Sequence, residues 1–202
     1  MEYYIHHIPV FLVGSAPPRI DVPEFCAAAE DLIPQRLLHG VDVVYIGDQR
    51  ELAGRSASYH NGAIYMTDDE PTIEDMLENF VHEVAHALEE TYAAQIYVPQ
   101  LTAEFKGKRQ RLYHILTAQG YKINPVHFDF TEYSEKFDKF LADEVGYPSL
   151  LTLTMGLFAS PYAATSLQEY FANGVEKYFL ESPRFVRNVS PVLYEIIEEI
   201  VN

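Results

Sequence analysis

The stretch Ile73-Glu74-Asp75-Met76-Leu77-Glu78-Asn79-Phe80-Val81-His82-Glu83-Val84-Ala85-His86-Ala87-Leu88-Glu89-Glu90-Thr91-Tyr92 repeats its apolar residues at helical spacing. Ile73, Met76, Leu77, Phe80, Val81, Val84, Ala85 and Leu88 form one stripe, which predicts an amphipathic helix over 73–92 with its apolar side anchored in a core. Asp69 or Thr72 can cap its start, and acids follow in the first turn, where the helix dipole favours them. His82 and His86 fall off the stripe. Residues four apart on a helix share a face, so the two imidazoles can converge on one point.

That point suits a zinc ion. The pattern His82-Glu83-Val84-Ala85-His86 supplies two imidazole ligands, and Glu83, one step round the helix, is placed to work as a general base on a water activated by the metal. A catalytic zinc needs a third protein ligand and an open position. The continuation Gly, then His, that would complete one common zinc motif is absent, because Glu89 and Tyr92 occupy those places. The residues alone leave the third ligand open among Glu104, His114, His127, Asp129 and Glu169.

On the N-terminal side of this helix the chain reads as strands and short helices. Tyr3–Val13 is expected as one strand, followed by a turn at Pro17-Pro18, a helix from Pro23 to Leu38 and a strand Val41–Ile46. Asn61-Gly62, a dipeptide that favours tight hairpins, leads into a strand Ala63–Met66. On the C-terminal side, helices are expected beyond Pro99, running to Ala118 before Gly120, from Ser166 to Leu180 and from Pro191 to Val201. The first carries Lys106, Lys108, Arg109 and Arg111, four of the fourteen basic residues, and is read as a solvated face.

A chain of 202 residues suits one domain with an embellishment, and its 48% hydrophobic and 22% charged composition is that of a folding sequence. The net charge of −16 argues against nucleic acid or an anionic membrane as partner. The uncharged stretch Val145–Gln168 is broken by Gly146, Pro148, Gly156 and Pro161, so a buried hairpin or helix is expected there instead of a membrane span. The lone Cys26 is read as a small buried hydrophobe. The opening residues lack the basic start of a signal peptide, so a cytoplasmic protein, or one released without such a signal, is expected.

Taken as a set, these features resemble a family, the gluzincin metallopeptidases related to the catalytic domain of anthrax lethal factor and to the clostridial Pro-Pro endopeptidases. The resemblance rests on the strand Ala63–Met66 and acidic turn feeding the His82–His86 helix, on Glu169-Tyr170-Phe171-Ala172 opening a late aromatic helix, and on Tyr162 seven residues before Glu169. It implies that His82, His86 and Glu169 bind Zn2+, that Glu83 is the base, and that Tyr162 hydrogen-bonds the oxyanion. It further implies a zinc-dependent endopeptidase of α+β class: a two-lobed zincin-like fold with a small mixed sheet and the active-site helix in residues 1–94, an insertion over 95–159, and a mostly helical C-terminal lobe over 160–202. A peptide or protein substrate is expected to lie along Ala63–Met66 as an edge strand, with Lys or Arg flanking the scissile bond favoured by the acidic field. The competing expectation is a zinc-binding module of the same fold without turnover. Against it stands Glu83, since a site that only holds metal needs no carboxylate there.

Overall fold

The structure, a computed structural model, describes residues 2–14, 18–52 and 54–202. It is a mixed α+β chain divided into two compact units, Met1–Ala93 and Ala94–Asn202. The turn expected at Pro17-Pro18 lies partly outside the described residues.

The first unit is built on a five-stranded mixed sheet. Its strands are β1 (Tyr3–Ile5), β2 (Ile8–Val13), β3 (Val43–Gly47), β4 (Ala57–His60) and β5 (Ala63–Met66), in the order β1-β2-β3-β5-β4. β2, β3 and β5 run parallel, while β1 and β4 are antiparallel to their neighbours. The single strand expected over Tyr3–Val13 is a hairpin. His6 turns the chain in the left-handed region at φ 53, where its ring nitrogen Nε2 meets the carbonyl of Ile33 at 2.9 Å. At the other end, Asn61 and Gly62 both take positive φ, 48 and 80, the geometry that folds β4 tightly back on β5.

This turn changes the role expected of Ala63–Met66. β5 pairs with β3 on one side and β4 on the other, so its backbone is committed on both sides and the edge strand is β4. Edge status depends on which strand pairs outside the hairpin, a long-range fact that the local pattern of residues 58–66 does not carry.

Alternation sorts the strand residues into two faces. Val10, Val44, Ile46, Ile64 and Met66 are buried on one. The other carries a row of rings: Phe11 stacks on Tyr45 at 5.8 Å and Tyr45 on Tyr65 at 5.4 Å. The core of the unit also takes in α1 (Val22–Leu32) and the apolar stripe of α2 (Ile73–Ile96), with Phe25 meeting Phe80 edge-on at 5.9 Å. Each such buried ring contributes about 2–3 kcal/mol of transfer free energy. α1 starts at the Asp21 cap and stops at Ile33, which Pro34 forces out of the helical region, so the helix expected to reach Leu38 finishes as a separate 3-10 turn, Gln35–Leu38. Cys26 is buried and free, its thiol pushed up to about 11 by burial and by Glu30, so it is an inert packing residue.

The second unit is helical, comprising α3 (Pro99–Ala118), α4 (Glu135–Lys139), α5 (Tyr147–Leu153), α6 (Leu167–Leu180), α7 (Pro183–Val189) and α8 (Pro191–Val201). α3 packs on α6 and α8 and buries Leu101, Phe105, Leu112 and Leu116, with the Phe105 ring 5.3 Å from Tyr170 of α6. The basic stretch is not a solvated face as a whole. Lys106 and Arg111 are exposed, whereas Lys108 and Arg109 are buried within this core. They are held by carbonyls from remote parts of the chain. Lys108 Nζ donates to Leu157 O at 2.6 Å, Val189 O at 2.7 Å and Ser190 Oγ at 3.1 Å. The stretch Val145–Gln168 folds as α5, a series of turns and a 3-10 turn Tyr162–Ala164, and no helix of the described residues is long and apolar enough to cross a membrane.

Candidate metal and catalytic site

α2 is started by a reciprocal cap. Thr72 Oγ1 accepts from the Asp75 N–H at 3.1 Å and donates to the Asp75 carboxylate at 2.6 Å. Nine residues on, Val81, Val84 and Ala85 are fully buried and fix the rotation of the helix. That rotation leaves His82 and His86 half-buried on one face, their ring centroids 5.0 Å apart.

His86 Nδ1 meets Glu89 Oε2 at 3.0 Å. A carboxylate on Nδ1 holds the proton there and makes Nε2 the lone-pair nitrogen, the metal-binding tautomer. Glu89 is buried, and its place one turn after His86 is a spacing from which this partner could have been read. Glu83 lies deeper than the histidines, at 7% exposure, and its Oε2 accepts the Tyr59 N–H of β4 at 2.6 Å. One carboxylate oxygen is thereby fixed by the edge strand. Tyr59 is itself held by its hydroxyl, which donates to Gly40 O at 3.0 Å and accepts from the Gly62 N–H at 3.2 Å. Burial of that hydroxyl, first, and then Glu90 raise its pKa to about 12.

Glu169 sits in the first turn of α6, where its N–H is capped by Ser166 Oγ at 3.1 Å. Asn173, one turn after Glu169, is buried at 3% exposure. Its Nδ2 donates to Glu169 O at 2.9 Å, and its Oδ1 accepts from Ser160 Oγ, which in turn accepts the Ala163 N–H at 3.2 Å. One side chain thus ties the helix start to the 3-10 turn that carries Tyr162. Arg109 clamps the far end of that turn, donating to Ala164 O at 2.8 Å, Thr165 O at 3.2 Å and His127 O, with its guanidinium 4.1 Å over the Phe137 ring. Burial lowers the Arg109 pKa to about 10, against the pull of Asp129, and the group stays charged at neutral pH. Tyr162 is half-buried, its ring edge-on to Tyr147 at 6.5 Å.

In the first unit His82 and His86 share a face of α2, and in the second Glu169 stands in the first turn of α6. Imidazole and carboxylate are donor types that zinc accepts. The other candidates are engaged elsewhere. Glu104 accepts from the Tyr170 hydroxyl at 2.8 Å and from the Val192 and Leu193 N–H groups at 2.9 and 3.2 Å, so it caps α8 from outside. Asp129 accepts from Gln110 at 2.7 Å, His127 stacks on Phe137, and His114 packs beside Tyr113. No family model, curated protein or solved structure matches the chain.

Proposed function

We propose that this chain is a zinc-dependent metalloendopeptidase on a zincin-like fold. His82, His86 and Glu169 hold the ion, Glu83 is the general base and Tyr162 the oxyanion donor. The observation that carries the proposal lies within the first unit: the two imidazoles share one face of α2, His86 Nδ1 is held by Glu89, and Glu83 is anchored by the Tyr59 N–H. When bound, the ion supplies a Lewis acid for the scissile carbonyl and lowers the pKa of water from about 16 toward about 7.

The protein's own residues do the rest. Glu89 fixes the tautomer of His86. Glu83, steadied at one oxygen by Tyr59, takes the proton of the attacking water and returns it to the leaving amine. The Tyr162 hydroxyl donates to the oxygen that gains charge, a contribution whose loss typically costs about 100- to 1000-fold in turnover. The backbone available to an extended substrate is the edge strand β4, in place of Ala63–Met66.

The test is zinc content of wild type, Glu83→Ala and Glu169→Ala by elemental analysis, followed by digestion of a random peptide library. Stoichiometric zinc in wild type and Glu83→Ala, its loss in Glu169→Ala and cleavage by wild type alone are expected. Zinc bound by a wild type that cleaves no peptide would point to the module without turnover. A wild type that takes up no zinc ends the proposal.

A further inference from the structure

Within the second unit, a depression of about 410 Å³ opens beside the start of α6, lined by Tyr97, Thr131, Glu132, Tyr133, Leu167 and Gln168. Two lines of contact join it to proposed site residues. The first is direct, because Leu167 and Gln168 precede Glu169 on α6, and the Leu167 N–H donates to Thr131 O at 2.8 Å, tying the lining loop to the helix start. The second runs through Asp138, which accepts the Tyr133 hydroxyl at 2.7 Å and the Tyr147 hydroxyl at 2.8 Å, and the Tyr147 ring then meets Tyr162.

The chemistry of the lining is selective. It offers two phenol rings, the apolar Leu167 side chain, one exposed carboxylate and no cation. Lys106, exposed on α3, is felt by Glu132 but does not line the depression. A long aliphatic stem ending in a positive charge matches this surface, since the stem packs on the rings, the cation lies against their faces, and the carboxylate neutralises it. The chain's net charge of −16 adds to the attraction.

We propose that this depression is a substrate subsite that takes the side chain of a Lys or Arg residue at a fixed offset from the scissile bond, with Glu132 as the specificity-determining residue. The proposal rests on the metallopeptidase reading, so its test has an arm that does not require turnover. Protein with 13C-labelled tyrosine rings is titrated with a short lysine-containing peptide and with its norleucine counterpart. The lysine peptide is expected to shift the Tyr97 and Tyr133 ring resonances, with binding about fivefold weaker in Glu132→Gln, the scale of a partly exposed ion pair with a cation–π contact. The norleucine peptide should shift them little. In the library digest, wild type should show Lys or Arg at one offset, and Glu132→Lys should lose that preference while peptides neutral at that offset are cleaved as before. Selective ring shifts without cleavage would remove the peptidase reading and leave the subsite. Equal shifts from both peptides, or a cleavage profile unchanged in Glu132→Lys, would overturn the subsite even if the peptidase reading stands.

Discussion

Two glutamates of similar sequence character have opposite environments. Glu89 faces the ring of His86, and Glu104 faces the first N–H groups of α8 and the Tyr170 hydroxyl. Replacing Glu89 by Ala removes the group that orients His86, a proposed ligand, and on that proposal zinc affinity should fall by about 10- to 100-fold in a competitive chelator titration while the protein stays folded. Replacing Glu104 by Ala leaves zinc stoichiometry intact and strands two helix-start N–H groups and a buried hydroxyl, at a cost of about 2–3 kcal/mol by denaturant unfolding. Loss of zinc from Glu104→Ala at full fold would make Glu104 a candidate ligand again. The sequence could place His82, Glu83 and His86 because their spacing is local to one helix. The residues alone left Glu104 and Glu169 both open and the resemblance favoured Glu169; that the Glu104 carboxylate is spent on capping α8 is a tertiary fact its local sequence does not carry. Lys108 and Arg109 were illegible for the same reason: their carbonyl partners lie far along the chain.

Helices were legible where period and punctuation agreed. α8 occupies the range expected from its proline and apolar spacing, and α3 ends at Ala118 as expected. α7 was missed although Ser182-Pro183 is a helix-start signal, and Ser182 does cap it. The strands were harder, because a hairpin at His6 and His7 needs a left-handed turn that histidine rarely provides. Packing between elements makes a separate prediction at Gly174, on α6. A Cβ there would stand 2.4 Å from Leu193 Cδ2 and 3.0 Å from its Cγ, and Leu193 is fully buried on α8. Alanine would gain up to about 1 kcal/mol in helix propensity and lose about 1–3 kcal/mol to overpacking. Gly174→Ala should therefore lower the thermal midpoint, and an unchanged or raised midpoint would mean that α6 and α8 have room to part.

For the whole molecule, buried protons set a stability maximum on the alkaline side. Lys108 is lowered to about 8, mainly by burial, against an ordinary value near 10.5. Between those values the unfolded chain binds the proton and the folded one has released it, so stability rises with pH from about 8 toward 10. The hydroxyls of Tyr59, Tyr147, Tyr170 and Tyr178 are all raised above their usual value by burial first, and by neighbouring carboxylates. Above pH of about 10 the unfolded chain loses these protons and the folded one keeps them, so stability then falls. Thermal midpoints measured from pH 7 to 12 should peak between about 9 and 10, and Lys108→Met should flatten the rising limb without moving the falling one. A monotonic decline from pH 8 would show that Lys108 keeps its proton in the fold.

The ring row on the sheet has an optical consequence. The chain has no tryptophan, so its fifteen tyrosines dominate near-ultraviolet absorption and emission without a lower-energy indole acceptor to drain them. Tyr45 and Tyr65 lie nearly parallel, 5.4 Å apart and 16° between planes, close enough for their transitions to couple. Joined register of β3 and β5 is what brings them together. Near-ultraviolet circular dichroism that changes in Tyr45→Phe or Tyr65→Phe would thus report strand pairing without a label, giving this sheet its own chromophore.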